Sequence, residues 1–245
     1  HFTEGEHTVE LRAYDEAGNE STKTITINVD TTPPVLSTST SGTPGNSGWY
    51  ISDATTTISA TDSTSDIDYI EYKQNSAVWK EGTTVLSNDG INTITARVYD
   101  LAGNSATKSL EVKVDTVPPM VMPVVPTPTG LDDWFVSVPV VISANGTDAT
   151  SGLLSALVST DEKTWKDSLS LLDGLYSVTF RSEDIAGNTT TIPLDLKIDA
   201  TNPTVEISTF GTVGTNGWYT SQTTTTFKAD DKTSDVDRVE YSQNN

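Results

Sequence analysis

The chain has 245 residues, 34% of them hydrophobic, with 34 acidic against 14 basic side chains and a net charge of −20. That charge repels nucleic acid and anionic membranes, so no nucleic-acid partner is expected. No run approaches the roughly 20 apolar residues that cross a bilayer, which predicts no membrane insertion within this segment. There is no cysteine, which excludes disulfides and thiolate metal sites and leaves stability to the cores. A low apolar fraction with abundant Ser, Thr, Asn and Gly fits thin, half-buried sheets, and an all-β class is expected.

Residues 1–33 read as the C-terminal half of a repeat. Thr8 to Tyr14 and Thr24 to Val29 alternate in polarity around Asp15-Glu16-Ala17-Gly18-Asn19, which predicts a β-hairpin. Asp15 can accept bonds from the N–H groups that follow it, Gly18 can take positive φ, and Asn19 tolerates the left-handed region. Residues 34–118 form a complete repeat with strands predicted near 35–40, 55–60, 67–74, 83–86, 92–99 and 109–114, and a short seventh around Trp79. Ile67 to Gln74 carries apolar or aromatic groups on both faces, as a central strand would. Six or seven short strands separated by frequent turns predict a β-sandwich of immunoglobulin type.

Residues 119–202 form a second complete repeat with a divergent first half, where Met120 to Pro128 is proline-rich and predicted to be an extended edge. Residues 203–245 match 34–76 and read as the N-terminal half of another repeat. Two signals set the period. The turn Asp-x-Ala-Gly-Asn opens at Asp15, Asp100 and Asp184, 85 and then 84 positions apart. The junction that follows it begins at Asp30, Asp115 and Asp199, at the same spacing. His1 aligns with Leu86 and Asn245 with Ser76, which predicts a segment cut from a longer array. Prolines at the junctions fix φ and stiffen the connection, so the expectation is an extended, semi-rigid array of tandem immunoglobulin-like sandwiches.

Gly-Trp-Tyr before the second strand, Ile-Glu-Tyr or Val-Glu-Tyr in the third, Gly5-Glu6-His7-Thr8-Val9, Tyr14 to Asn19 and Val29-Asp30-Thr31-Thr32-Pro33-Pro34 together resemble the bacterial immunoglobulin-like repeats of secreted and surface-anchored proteins. The resemblance implies an extracellular or cell-surface location and a role as stalk, spacer or adhesin segment. It also implies a place beside glycan-degrading enzymes in some relatives. Such motifs specify a fold better than a function.

Candidate chemistry is sparse. His1 and His7 are the only histidines, and His7 aligns with Asn92, so the repeats share no catalytic histidine and no enzyme is expected. The neighbouring pairs Asp132 and Asp133, and Asp230 and Asp231, read as solvated surface, because adjacent strand residues point to opposite faces. Calcium is the candidate cofactor, since hard cations take carboxylate oxygens. Its candidate ligands are Asp30, Asp115 and Asp199, each of which the repeat brings near an Ala-Gly-Asn turn or the next unit. The competing reading is that an aspartate before a threonine satisfies backbone donors. Trp49 and Trp218 are candidate glycan-stacking residues if exposed and core residues if not.

The expected function is a non-enzymatic stalk or spacer of a larger surface protein, with self-association into a filament or sheath as its nearest variant. The alternatives are a carbohydrate-binding adhesin segment or accessory domains of a secreted glycan-degrading enzyme. Expected partners are neighbouring domains of the same chain, a second copy, or a surface glycan or protein ligand.

Overall fold

The computed structural model describes residues 1–243. Every element among them is a strand: β1 (Gly5–Tyr14), β2 (Glu20–Val29), β3 (Val35–Ser41), β4 (Trp49–Tyr50), β5 (Ala54–Thr61), β6 (Ile67–Gln74), β7 (Lys80–Glu81), β8 (Thr84–Ser87), β9 (Gly90–Asp100), β10 (Ser105–Val114), β11 (Met120–Val124), β12 (Trp134–Phe135), β13 (Val140–Thr147), β14 (Leu153–Ser159), β15 (Ser168–Leu171), β16 (Gly174–Asp184), β17 (Thr189–Ile198), β18 (Thr204–Phe210) and β19 (Thr224–Asp230). The chain divides into two compact units. The first is His1–Pro118 with the segments Ala149–Gly152 and Ile185–Asn188, and the second is the remainder.

In the first unit β1 and β2 form a two-stranded hairpin, paired from Gly5 with Val29 to Tyr14 with Glu20. The turn that closes it follows from its sequence. Gly18, at φ 86°, lets the chain reverse without a Cβ clash, and its N–H reaches the Asp15 carbonyl at 3.0 Å. Asn19 is absent from the positive-φ residues; it closes the turn by donating its N–H and its side-chain amide to the Asp15 carboxylate at 2.8 and 2.7 Å. Those bonds, the amide first, hold the exposed Asp15 carboxyl below its ordinary range.

The rest of this unit is a sandwich of a three-stranded sheet, β3-β5-β8, and a five-stranded sheet, β4-β10-β9-β6-β7. Alternation sets the core. On β9 the even-numbered residues Asn92, Ile94, Ala96, Val98 and Asp100 are buried while their neighbours are not, as a period of two requires. Ile94 and Ala96 pack with Ala54, Ile58, Val85, Val112 and Val114. Asp100, the last inward position of β9, is only 1% exposed.

The strand expected around Trp79 begins one residue later, at Lys80, and pairs two residues with β6. Trp79 instead lies under the Arg97 guanidinium, 4.5 Å from its ring centre, and Arg97 also pairs with Glu71. Beside them Tyr69 stacks on Tyr99 at 4.8 Å. One face of β6 therefore carries a cation–π ladder, while Ile70 and Tyr72 on the other pack against the core. The two-sided character of this strand comes from that ladder, with β9 on one side and only the short β7 on the other.

The second unit repeats the plan with β11-β13-β15 and β12-β17-β16-β14. Its core gathers Val121, Phe135, Val140, Ile142, Val158, Leu171, Val178, Phe180, Leu196 and Ile198. The proline-rich β11 is an edge strand, bonded only to β13, where Pro123 leaves a missing N–H without disrupting a central ladder. Arg181 lies 4.4 Å from the Trp165 ring, an 84-residue echo of Arg97. β18 and β19 form a separate hairpin from Thr204 paired with Asp230 to Phe210 paired with Thr224.

Asp161 organises the turn after β14. Its carboxylate accepts the N–H groups of Thr164 and Lys163 at 2.7 and 2.9 Å and the Ser159 hydroxyl at 2.9 Å. These bonds, the one from Thr164 foremost, hold its carboxyl well below the usual range. A depressed folded value means the turn's contribution is complete above the ordinary aspartate pKa of about 3.9 and is lost as pH falls through the folded one. Carboxyl NMR should therefore give Asp161 a titration midpoint below that of a model aspartate, and Ser159→Ala should raise it. A midpoint at the ordinary value would contradict this reading.

Candidate functional site at the repeat junctions

Three acids frame the junction in the first unit. Asp30 ends the hairpin's second strand, Asp62 follows β5, and Asp100 ends β9, where strand alternation turns it inward. Their carboxylate oxygens lie within 4.8 Å of one another. Asp30 accepts the Thr32 N–H at 3.0 Å on one oxygen and the Ser65 hydroxyl on the other. Asp62 Oδ1 accepts the N–H groups of Thr64 and Ser65 at 2.8 and 2.9 Å. Asp100 receives the Asn104 N–H at 2.8 Å and the Asn104 amide at 3.0 Å. Burial pushes the Asp100 carboxyl up, but the bonds from Asn104, Gly103 and Ala102 together outweigh it and hold the group below its ordinary range.

Protein donors thus account for every oxygen of the cluster except Asp62 Oδ2, which is buried without a hydrogen-bond partner. A buried acceptor left unpaired is unfavourable, and negative groups this close raise one another's energy. A hard cation answers both conditions, and an all-oxygen donor set suits calcium better than zinc or copper. The residues present therefore fit the ion, with Asp30, Asp62 and Asp100 as the ligands that would hold it. Asp62 and Asp100 were not singled out as ligands by the sequence. The signal was available, because these acids recur by period as Asp115, Asp148 and Asp184, and in part as Asp199 and Asp231.

Asp115 and Asp199 are placed as Asp30 is, with their own Oδ1 on the N–H two residues ahead, Val117 at 3.1 Å and Thr201 at 3.0 Å. Asp115 Oδ2 also accepts the Ser151 N–H at 2.9 Å. The backbone role expected of an aspartate before a threonine is thus present at all three positions.

A second set of acids escaped the sequence reading. Glu4, Asp89 and Asp173, which precede Gly5, Gly90 and Gly174, accept the N–H of the residue after each junction aspartate: Thr31 at 3.0 Å, Thr116 at 2.7 Å and Ala200 at 2.9 Å. Hydrogen bonding from the Thr201 hydroxyl, then from the Ala200 N–H, lowers the Asp173 carboxyl from its usual range. These acids are also spaced by 85 and then 84 residues, so the period could have found them.

The tryptophan candidates divide. Trp49 is 8% exposed, held on β4, which pairs with Lys113 and Val114 of β10; it offers no open ring to a sugar. Trp218 is 76% exposed, but no counterpart of β10 lies among residues 203–243 to cover it. His7 donates to or accepts at the Thr3 carbonyl at 2.6 Å and sits 5.2 Å from the Phe2 ring, away from any acid cluster. Asp132 and Asp133 lie in a turn with φ of 50° and 64°, so strand alternation does not apply to them, although both remain exposed. Asp231 caps the N–H groups of Thr233 and Ser234.

Paired sheets over a common core, with turn and junction recurring at one period, define tandem immunoglobulin-like sandwiches. Residues 1–71 match the family model described as Bacterial Ig-like domain (group 3), a stretch holding the first hairpin, the first junction and β3 to β6. The chain thus resembles bacterial immunoglobulin-like repeats. No curated protein resembles it closely enough to count as a relative.

Among solved structures the chain is similar to the fibronectin(III)-like modules of Clostridium thermocellum CbhA, at 12% identity over 67% of this chain and 94% of that one, with a TM-score of 0.34. It is also similar to a tetra-tandem repeat in the extending region of a large adhesion protein, at 17% identity over 92% and 70%, with a TM-score of 0.36. A third is a structure from a 1.5-MDa bacterial ice-binding adhesin, at 16% identity over 81% and 76%, with a TM-score of 0.32.

Proposed function

We propose that this chain is a non-enzymatic spacer of a larger extracellular or cell-surface protein, in which serial sandwiches hold a functional part at a distance. The observation that carries the reading is the recurrence of one hydrogen-bonded junction at Asp30, Asp115 and Asp199, each fastened by an acid of its own repeat. A flexible linker needs no such frame, whereas a spacer works only if its joints resist bending. A glycan-binding role draws little support, since Trp49 is buried. Electron microscopy of the full-length protein from its native source tests the reading. Isolated thin rods support a spacer; ordered fibres or sheets make self-assembly into a filament or sheath the function instead.

A second reading, compatible with the first, is that calcium stiffens the joints, with Asp30, Asp115 and Asp199 among its ligands. The unpartnered Asp62 Oδ2 within the Asp30 cluster favours it. When bound, the ion would neutralise charge that the protein's own donors leave uncompensated. In the same micrographs, rods that go limp in chelator support this role, and rods unaffected by chelator remove it.

A further inference from the structure

The two signals that set the period, the Asp-x-Ala-Gly-Asn turn and the Asp-initiated junction, lie far apart in the chain, and hairpin closure alone explains only the first. The side chain of the turn asparagine connects them. Its primary amide has two N–H groups. At Asn104 one is held by Asp100 Oδ2 at 3.0 Å, and the amide also reaches the Asp30 carbonyl at 3.3 Å, 74 residues earlier. At Asn188 the same amide donates to the Asp115 carbonyl at 3.0 Å, 73 residues earlier. Two junctions thus carry one contact, made by a turn of the repeat that follows.

We infer that the turn asparagine is a positioning residue that clamps the preceding junction, fixing the direction in which one repeat enters the next. The aspartate that opens the turn holds the amide in place, so little side-chain freedom remains to be lost when the contact forms. Its acceptor is a main-chain carbonyl, which every junction sequence supplies. The clamp therefore tolerates Asp-Thr-Thr-Pro-Pro at 30–34, Asp-Thr-Val-Pro-Pro at 115–119 and Asp-Ala-Thr-Asn-Pro at 199–203. Aspartate in its place would have no N–H to donate, and serine is too short to span from turn to junction. Asn19 provides an internal comparison: it makes the same bonds to Asp15 at 2.7 and 2.8 Å, but no junction contact is recorded for it among the described residues.

The absence of cysteine allows a clean test in the 245-residue chain. Ser21 and Ser76, both exposed, are changed to cysteine and spin-labelled, and their separation is measured by double electron–electron resonance. Chelator is present throughout, so that the result does not depend on the cation reading. The parent should give one narrow distance. Asn104→Ala and the isosteric Asn104→Asp should lose it for a broad distribution while circular dichroism stays native, because Asn104 is outside the 34–118 core cluster. Asn19→Ala should keep the narrow distance. The inference is overturned if both Asn104 variants keep it, if Asn19→Ala broadens it equally, or if both Asn104 variants unfold, since a clamp acts on direction and not on the fold.

Discussion

Millimolar calcium is expected to raise the unfolding temperature of the 245-residue chain, and Asp62→Asn is expected to remove most of that response. An ion that binds only the folded state stabilises it by mass action, by about 2.7 kcal/mol at a hundredfold excess over Kd, or roughly 5 to 10 °C for a chain of this size. Asp62 is the informative position because its Oδ2 is the one oxygen of the Asp30, Asp62 and Asp100 cluster without a protein donor. The amide of asparagine keeps the shape and removes a charge. In chelator, Asp62→Asn should therefore be neutral or stabilising, since it relieves repulsion among carboxylates within 4.8 Å. The change of sign between the two conditions separates a cation site from a merely structural aspartate. Magnesium, which demands a smaller and more regular oxygen shell, should give a weaker shift. Scanning calorimetry with no calcium-dependent shift, or with the same shift in Asp62→Asn, would contradict the proposal.

Phe180→Ala should destabilise the sandwich of residues 119–202 by about 3 to 5 kcal/mol, the usual range for an aromatic side chain deleted from a packed core. Phe180 is fully buried on β16, at the centre of the cluster that includes Phe135, Ile142, Val158 and Ile198. A thin sandwich has few large side chains to refill such a void. Leu175, an exposed residue of the same strand, serves as control, and its change to alanine should stay within about 0.5 kcal/mol. Because tandem repeats need not unfold as one unit, the effect is best read by hydrogen exchange over residues 174–184. Protection there should collapse in Phe180→Ala and persist over 90–100. Equal loss in both strands would mean that the sandwiches unfold together.

Strands and cores were legible in the sequence because both follow from a period of two. The alternation of 92–100 marks the inward residues of β9, and the hairpins around Gly18 and Gly103 follow from turn chemistry. The junction aspartates were also legible as candidates, since one residue type recurred at one spacing. Their partners were harder to see. Asp100 reads as a turn opener, and only the alternation carried through to its last residue shows that it points inward. Asp62 and Ser65 are brought to Asp30 by the tertiary path of the chain, which no local pattern encodes. Glu4, Asp89 and Asp173 were hidden because each looks like an ordinary acid before a glycine, and only alignment at 85 and then 84 residues sets them apart. Trp49 could not be placed from its recurrence, since a repeated core residue and a repeated binding residue leave the same trace.

The spacer account stands most directly on the stiffness of the chain in solution, which small-angle X-ray scattering of the 245-residue protein measures. Close to three periods of roughly 30 to 40 Å each, joined end to end without bending, have a radius of gyration of about 30 Å. A compact globule of the same length has one of about 18 Å. The account predicts the larger value, with the cross-section of a single sandwich and no growth with concentration. A value near that of a globule would contradict it.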